Sequence, residues 1–505
     1  MSEYLPTIGL EIHAELATST KMFCDSKNDP DEKRPNVNIC PICTAQPGTL
    51  PVINKSAVRH VLRVGTAFGS TLADYSEFDR KNYFYPDIPK GFQISQYKYP
   101  LVSGGTLNGV AITRVHLEED TARSQHGSTG SPQVNGDFSL IDFNRAGVPL
   151  MELVTEPVMH DAKTAGNFAR ELQLLLRYLG ASEANMEKGE MRVEANVSVA
   201  KREDRQDDSL ITATKGNDTE FVLPDLAKLG TKVEVKNINS FRAVEKAIEY
   251  EIKRQIEELE NGGVIVQETR GWDDVKQRTY SQRKKESSHD YRYFPEPDLP
   301  KLKLSEVPEF SHEILRASLP ELPWQKRERL VKDYGIKAED VEMYINDFEL
   351  EIFFGSVAEY LGKDKEKLKI ASNYITSDLI SHTSKERQDH DFVMYPDCKM
   401  FAKLIDMAYK GDLSSRGVKD VLAIMYKSPG DPEQIAKDKG LLQEHDEGEL
   451  AKIVDQVIAE NPNVVADFKS GKQASLQYLV GQGMRLSKGS ANPTLLSKIL
   501  VDKLG

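Results

Sequence analysis

The sequence predicts an α+β protein: a sheet-and-helix region over residues 1–295, followed by an all-helical remainder. Three observations lead there. "IGLEIHAEL" (residues 8–16) alternates strictly, with Ile8, Leu10, Ile12, Ala14 and Leu16 on one parity and Glu11, His13 and Glu15 on the other. That is the pattern of a half-buried strand. Two later stretches carry a helical apolar period instead. "YFPEPDLP" (293–300) then places Pro295, Pro297 and Pro300 where neither a helix nor a central strand can continue, and nearly all patterns beyond it are helical. A second break at "YKGDLSS" (409–415) divides the remainder into 296–410 and 411–505.

Bulk properties agree. A chain of 505 residues exceeds one ordinary core, so about two to four domains are expected. Hydrophobic residues are 39% and charged residues 29%, which suits a globular chain in water. No apolar run reaches the ~20 residues of a membrane span. The start, "MSEYLPTIGL", shows no signal-peptide pattern, and four cysteines make no disulfide framework, so a cytoplasmic location is expected. The net charge of −13 argues against general coating of nucleic acid, though not against a local basic surface.

The remaining elements follow in chain order. "RVHLEED" ends a strand with Glu118, Glu119 and Asp120, and "PLMELVTEP" sets Glu152 inside an apolar strand. A helix is predicted from Asp161 to Leu179, with Phe168, Leu172, Leu175, Leu176 and Leu179 on its apolar face and Gly180 as its stop. "MRVEANVSVA" alternates again, with Arg192, Glu194, Asn196 and Ser198 on the polar side. Residues 201–230 are charged and aperiodic, as an inserted loop would be. A second helix starts after Ser240 as N-cap, shows Phe241, Val244, Ile248, Ile252, Ile256 and Leu259, and ends at "NGG" (261–263).

Carboxylates inside buried strands are costly unless a cation or hydrogen bonds compensate them. Several such strands in one sheet could aim oxygen ligands and one imidazole into a shared cavity, a set that suits Mg²⁺ or Mn²⁺. Salt bridges on a wet strand face would leave the same pattern. Periodicity neither names the neighbouring strands nor chooses between Glu118 and Glu119. "FDRKNYFYPDIPKGFQISQY" (78–97) sets Arg80, Lys81 and Lys90 among aromatics, a composition suited to a phosphate and a stacked base, or to an aromatic loop packed on the sheet. Cys24, Cys40 and Cys43 have zinc-like spacing, but a closed zinc site needs four ligands. There is no phosphate-binding loop of the G-x-x-x-x-G-K-[ST] type, no G-x-G-x-x-G and no G-x-S-x-G, so any ATP is held on another scaffold.

"IGLEIHAEL", "FDRKNYFYPD", "HLEEDTARS", "NRAGVPLMELVTEP", "EVKNINSF", "DYRYFPEPD" and, near the end, "SLQYLVGQGMRLSKGSANP" together resemble the GatB family, the B subunits of the aspartyl/glutamyl-tRNA amidotransferases. The likeness runs in order along the chain. It implies a glutamine-synthetase-like catalytic cradle (1–295), a helical domain (296–410) and a helical tRNA-binding tail (411–505). It also implies ATP-dependent phosphorylation of the side-chain carboxylate of Glu-tRNA(Gln) and/or Asp-tRNA(Asn). Ammonia from a separate glutaminase (amidase) subunit would then complete the amide, with a small third subunit joining the two. By position in the matching motifs, His13, Glu119 and Glu152 are expected to bind Mg²⁺. Glu11 and Glu194 are expected as site neighbours, and Arg80 and Lys81 for ATP. Many members carry C-x-C before C-x₂-C; here the second cysteine position is Ser26, so the expectation is against structural zinc, with Asp25 or water as the fourth group if one is bound.

Residues 468–505 hold six basic side chains and one acidic, and Lys472, Arg485 and Lys488 are the expected tRNA phosphate contacts beside a buried stripe of Leu476, Leu479, Val480 and Met484. A solvated helix face would look the same. Two rival readings differ testably: a tRNA scaffold with a decayed site would have lost the ligands, and an enzyme with its own glutaminase would need an amidase-type Gly/Ser-rich run, which is missing.

Overall fold

The computed structural model describes residues 3–126, 139–202, 213–215, 218–220, 229–284, 291–383, 395–443, 447–487 and 491–505. It divides into two compact units, Met1–Leu322 and Pro323–Gly505. The first contains the sheets; the second is helical.

The main sheet of the first unit is built on seven principal strands. These are β1 (Tyr4–Glu15), β4 (Val110–Glu119), β5 (Pro149–Thr155), β6 (Met191–Lys201), β7 (Val233–Ile238), β8 (Glu268–Asp273) and β9 (Arg278–Lys284). β2 (Asp79–Asn82) and β3 (Phe92–Ser95) form a separate hairpin. The main sheet runs β9-β8-β7-β6-β1-β5-β4 and continues through the short strands Val102–Ser103 and Thr71–Leu72. The opening strand is therefore central, antiparallel to both β5 and β6. Only β7 and β8 pair in parallel among these neighbours.

One face of the sheet is apolar and is covered by α2 (Ala162–Tyr178) and α3 (Phe241–Glu260), while α1 (Lys55–Ala67) packs near β4. Ile8, Ile12 and Ala14 of β1, with Val197 of β6 and Val233 and Val235 of β7, are fully buried. α2 meets them with Phe168, Leu172, Leu175 and Leu176, also fully buried. Its Asp161 side chain caps the Thr164 N–H, and Gly180 takes φ +59°, ending the helix where expected.

α3 starts on Ser240 as predicted and buries the expected Val244 and Ile248, but its buried face departs from the expected one in the second half. Ala243, Val244, Ala247, Ile248, Glu251 and Gln255 face inward, and Ile252, Ile256 and Leu259 are only half-buried. Glu251 is tolerated inside because its carboxylate accepts from Arg254 (2.5 Å), Thr279 Oγ1 (3.0 Å) and Gln255 Nε2 (3.0 Å).

The first unit also outruns the expected boundary at 295. Phe294–Pro295 pairs with Asp79–Arg80, Leu302–Lys303 pairs with Tyr75–Ser76, and the helix His312–Ala317 packs on α1. Residues 296–322 thus belong with the sheets, because backbone pairing holds the proline-rich segment against them. In the second unit, Leu450, Val454, Val457, Leu479, Leu496 and Leu500 form the fully buried centre of a cluster supplied by the helices from Glu447 to Leu504. Most of the expected insertion at 201–230 lies outside the described residues; Ala213–Lys215 pairs with Asp218–Glu220.

Candidate active site

The polar face of the sheet carries the site. Antiparallel register sets Glu152 of β5 directly beside His13 of β1, and His116 of β4 beside Glu152. In the next row, Glu11 lies beside Glu194 of β6. Residues opposite one another on paired strands project to the same side, so these groups converge. His13 Nε2 lies 3.4 Å from Glu152 Oε2, 3.6 Å from Glu118 Oε1 and 3.9 Å from Glu11 Oε1. His116 Nε2 and Arg114 Nη2 each lie 3.5 Å from the Glu152 carboxylate.

Glu11, Lys81, Arg114, His116 and Glu152 line a cavity of about 350 Å³, with Glu234, Lys236 and a group of tyrosines. Crowding of like charges shows in the acidities. Burial, then Glu152 and Glu194, lifts the Glu11 carboxyl to about 7. Burial likewise raises Glu118, opposed by Lys81. Burial works against charge on His13, but its hydrogen bond and ion pair with Glu152, aided by Glu118, carry it up to about 9. Burial also resists ionisation of Glu152, yet His116, His13 and Lys81 hold it well below the ordinary carboxylate range. Lys81 is held above its usual range despite its burial, by Glu118, then Tyr293 and Glu152.

The set His13, Glu119 and Glu152 does not come together in this structure; Glu118, not Glu119, is the neighbour that lies beside His13, at 3.6 Å. Consecutive strand residues project to opposite faces, so Glu119 points away from His13. There it accepts from Lys90 Nζ (2.6 Å) and the Ile94 N–H (2.9 Å). The same alternation separates Arg80 from Lys81. The Arg80 guanidinium grips Glu296 through two hydrogen bonds (2.7 and 2.9 Å) and covers the Phe92 ring at 4.2 Å. It lines a different cavity of about 230 Å³, with Lys90, Glu119, Cys24 and Cys43. Only Lys81 of the expected ATP pair therefore reaches the carboxylate basin. Glu194 is present at its edge, 2.8 Å from Lys236 Nζ. Glu15, from the opening strand, is hydrogen-bonded to Asp120 instead, and burial and the Asp120 charge push its carboxyl up to about 8.

Sequence reasoning passed over His116, Arg114, Glu234 and Lys236. His116 and Arg114 carried a usable signal, since they share the parity of Glu118 in "RVHLEED". Glu234 and Lys236 carried it too, alternating with Val233 and Val235, but a bulge between β6 and β7, with Asn237 at φ +63°, accompanies the approach of Lys236 to Glu194.

The donor set fits a hard divalent cation. Glu11, His13 and Glu152, and equally His116, Glu118 and Glu152, offer ligand atoms within 4.8 Å of one another. His116 Nδ1 is buried with no hydrogen-bond partner among the described residues. The three cysteines also come together, within 4.8 Å. They do not fit a closed zinc site, because a cation already stands there: Lys21 is fully buried, with Nζ 3.7 Å from Cys43 Sγ and 3.1 Å from the Phe143 carbonyl. Ser26 Oγ lies 3.8 Å from Cys43 Sγ, as a hydroxyl rather than a fourth thiolate. The Cys43 thiol is drawn down to about 4 by its hydrogen bond with Cys24 and, against burial, by the Lys21 ammonium.

Of the expected tRNA contacts, Arg485 is exposed, Lys472 pairs with Asp467 (3.0 Å), and Lys488 lies outside the described residues. No described helix is long and apolar enough to cross a membrane.

A mixed sheet thus carries helices on one face and, on the other, a basin of carboxylates and imidazoles walled by Lys81. The GatB/GatE catalytic domain matches residues 6–308, and the GatB domain matches 355–504. The chain belongs to the GatB family. The B subunit of the aspartyl/glutamyl-tRNA(Asn/Gln) amidotransferase of Thermoanaerobacter pseudethanolicus is 42% identical, over 99% of both chains. The protein of that name from Carboxydothermus hydrogenoformans is 40% identical over 100% of this chain and 99% of its own. That from a Picosynechococcus is 39% identical over 100% and 98%.

Proposed function

We propose that the chain acts as the GatB component of a tRNA-dependent amidotransferase that makes Gln-tRNA(Gln) and/or Asn-tRNA(Asn) from the mischarged Glu- and Asp-tRNAs. It is part of a ligase that forms a carbon–nitrogen bond with glutamine as nitrogen donor. The observation that carries the chemistry is the convergence of Glu11, His13, Glu118 and Glu152 opposite Lys81.

A carboxylate is a poor electrophile because oxide is a very poor leaving group. Its oxygen attacks the γ-phosphorus of ATP, ADP leaves, and the resulting acyl phosphate accepts ammonia at carbon with loss of phosphate. Bound magnesium would offset the charge gathered on the phosphates and the attacking carboxylate. Glu152 would hold it together with His13 and Glu11, or with His116 and Glu118. Lys81 brings an ammonium that faces both Glu118 and Glu152, and it favours the charge that develops on the transferred phosphoryl group. Burial of these groups strengthens each of those attractions.

The first unit, on this reading, is a cradle resembling glutamine synthetase. Residues 411–505 are the tail that holds tRNA, a glutaminase (amidase) subunit supplies ammonia, a small third subunit joins the assembly, and the complex works in the cytoplasm. The test uses the full chain alone with ATP, Mg²⁺ and mischarged tRNA. Slow amidation from ammonium salts and none from glutamine is the expected result. Glutamine-driven product from the pure chain would place a glutaminase within it and defeat the assignment of roles.

A further inference from the structure

We infer that the stacked Tyr97–Tyr293 pair is a platform for the base of an adenine nucleotide. The inference rests on the proposed reaction and adds the subsite that would orient one of its two adenine-bearing substrates.

Both rings line the cavity that contains Lys81 and the carboxylates. They are nearly coplanar, with centroids 4.3 Å apart and an interplanar angle of 12°. Tyr97 follows β3 and Tyr293 precedes Phe294–Pro295, the two outer strands of the small sheet centred on β2. The pair is fixed from behind. The Tyr97 N–H donates to the buried Asp79 carboxylate (2.9 Å). Its neighbour Gln96 donates to Ser76 Oγ (2.6 Å) and accepts the Leu117 N–H (3.0 Å). Tyr291 packs edge-on against Tyr293, with centroids 6.0 Å apart.

Tyr97 itself is 53% exposed. What sets this ring apart from the other exposed aromatics is that it is stacked on a second ring and lines the cavity of Lys81 and Glu152, so it offers that cavity a flat apolar surface. Bases stack on such faces with little dependence on identity. The neighbours supply the remaining order of groups. Lys81 Nζ lies 5.2 Å from the centre of the Tyr291 ring and also faces Glu118 and Glu152. A base on the tyrosines would therefore lead its attached phosphates past Lys81 toward the carboxylates, in the sequence base, phosphate, cation site. Two molecules in the reaction carry such a base: ATP, and the 3′-terminal adenosine of the mischarged tRNA.

The test compares Tyr97→Ala, Tyr97→Phe and Tyr97→Trp in the assembled amidotransferase complex, measuring KM for ATP and for mischarged tRNA separately. Loss of one stacked base weakens binding by about tenfold. Tyr97→Ala is expected to raise one KM by about that factor, with Tyr97→Phe near wild type. A rise confined to ATP assigns the platform to the nucleotide, and a rise confined to tRNA assigns it to the terminal adenosine. In Tyr97→Trp, binding of the same substrate should quench the fluorescence of the new indole, a readout that does not depend on turnover. Both KM values within twofold of wild type in Tyr97→Ala, or an indole unaffected by either substrate, would overturn the platform. A wild-type complex with no ATP-dependent amidation would overturn the underlying reaction instead, and the platform with it.

Discussion

Glu118 and Glu119 are neighbours in sequence and opposites in chemistry. Glu118 stands 3.6 Å from His13 and is raised by burial, whereas Glu119 is already neutralised by Lys90 and the Ile94 amide. If Glu118 is the metal-facing group, Glu118→Gln should raise the Mg²⁺ needed for half-maximal ADP release by at least about tenfold, the scale of lost ligand-sphere interactions. Glu119→Gln should act through packing of β3 and leave the Mg²⁺ requirement near wild type. The reverse ranking would restore Glu119 to the site. His13→Ala or Glu152→Ala should abolish phosphorylation while glutamine hydrolysis by the amidase partner continues. Normal amidation by either variant at ordinary Mg²⁺ would remove that residue from the site.

At the scale of elements, α3 shows how a polar group can displace an apolar one from the buried face. The regular Ile252, Ile256 and Leu259 series suggests an apolar stripe, but the helix seats Glu251 and Gln255 inward against β6 and β9. Breaking the network should be costly, because the Arg254 guanidinium, 2.5 Å away, would lose that carboxylate, while Arg270 would keep only the Glu268 carboxylate. Glu251→Ala is predicted to lower stability by about 3 kcal/mol in urea titration, and Ile252→Ala, half-buried, by about 1 kcal/mol. Equal losses would mean that the face has been misassigned. The same logic makes Leu172→Ala in α2 expensive, about 2–5 kcal/mol, since that side chain is fully buried on the back of the sheet.

For the whole molecule, the question is where an acidic chain places tRNA. The helices Glu447–Glu460, Pro462–Lys469, Gln473–Leu486 and Pro493–Leu504 share a core of their own. A cut after residue 443 respects that core better than one after 410, because Cys398–Lys410 packs on the helices Ser415–Lys427 and Pro432–Lys439. The shortened complex should retain ATP-dependent chemistry at saturating tRNA but need more tRNA to reach it. Arg485→Glu with Lys472→Glu should weaken tRNA binding and flatten its salt dependence, by up to about 0.7–0.9 per lost phosphate contact on a log–log plot. Unchanged affinity and slope in both variants would reassign these helices to packing or assembly.

The sequence by itself determined the periods, the caps and the list of chemical groups. Alternation placed Glu11 and His13 on the polar side of a strand, Asp161 and Ser240 opened their helices, and the turn to helical patterns after the prolines separated two kinds of region. These features depend on neighbours a few residues away, so they are written locally. The tertiary structure alone decided the pairing order that sets β5 and β6 on either side of β1, and hence which carboxylates meet. It placed Glu118 rather than Glu119 in the basin, sent Arg80 and Lys81 into different cavities, and brought Tyr293 from nearly 200 residues away onto Tyr97. It also kept residues 296–322 with the sheets, through backbone pairing that no proline count reveals. Strand register and long-range pairing are selected by the burial of the whole sheet, and a period-two pattern is identical for every partner a strand could choose.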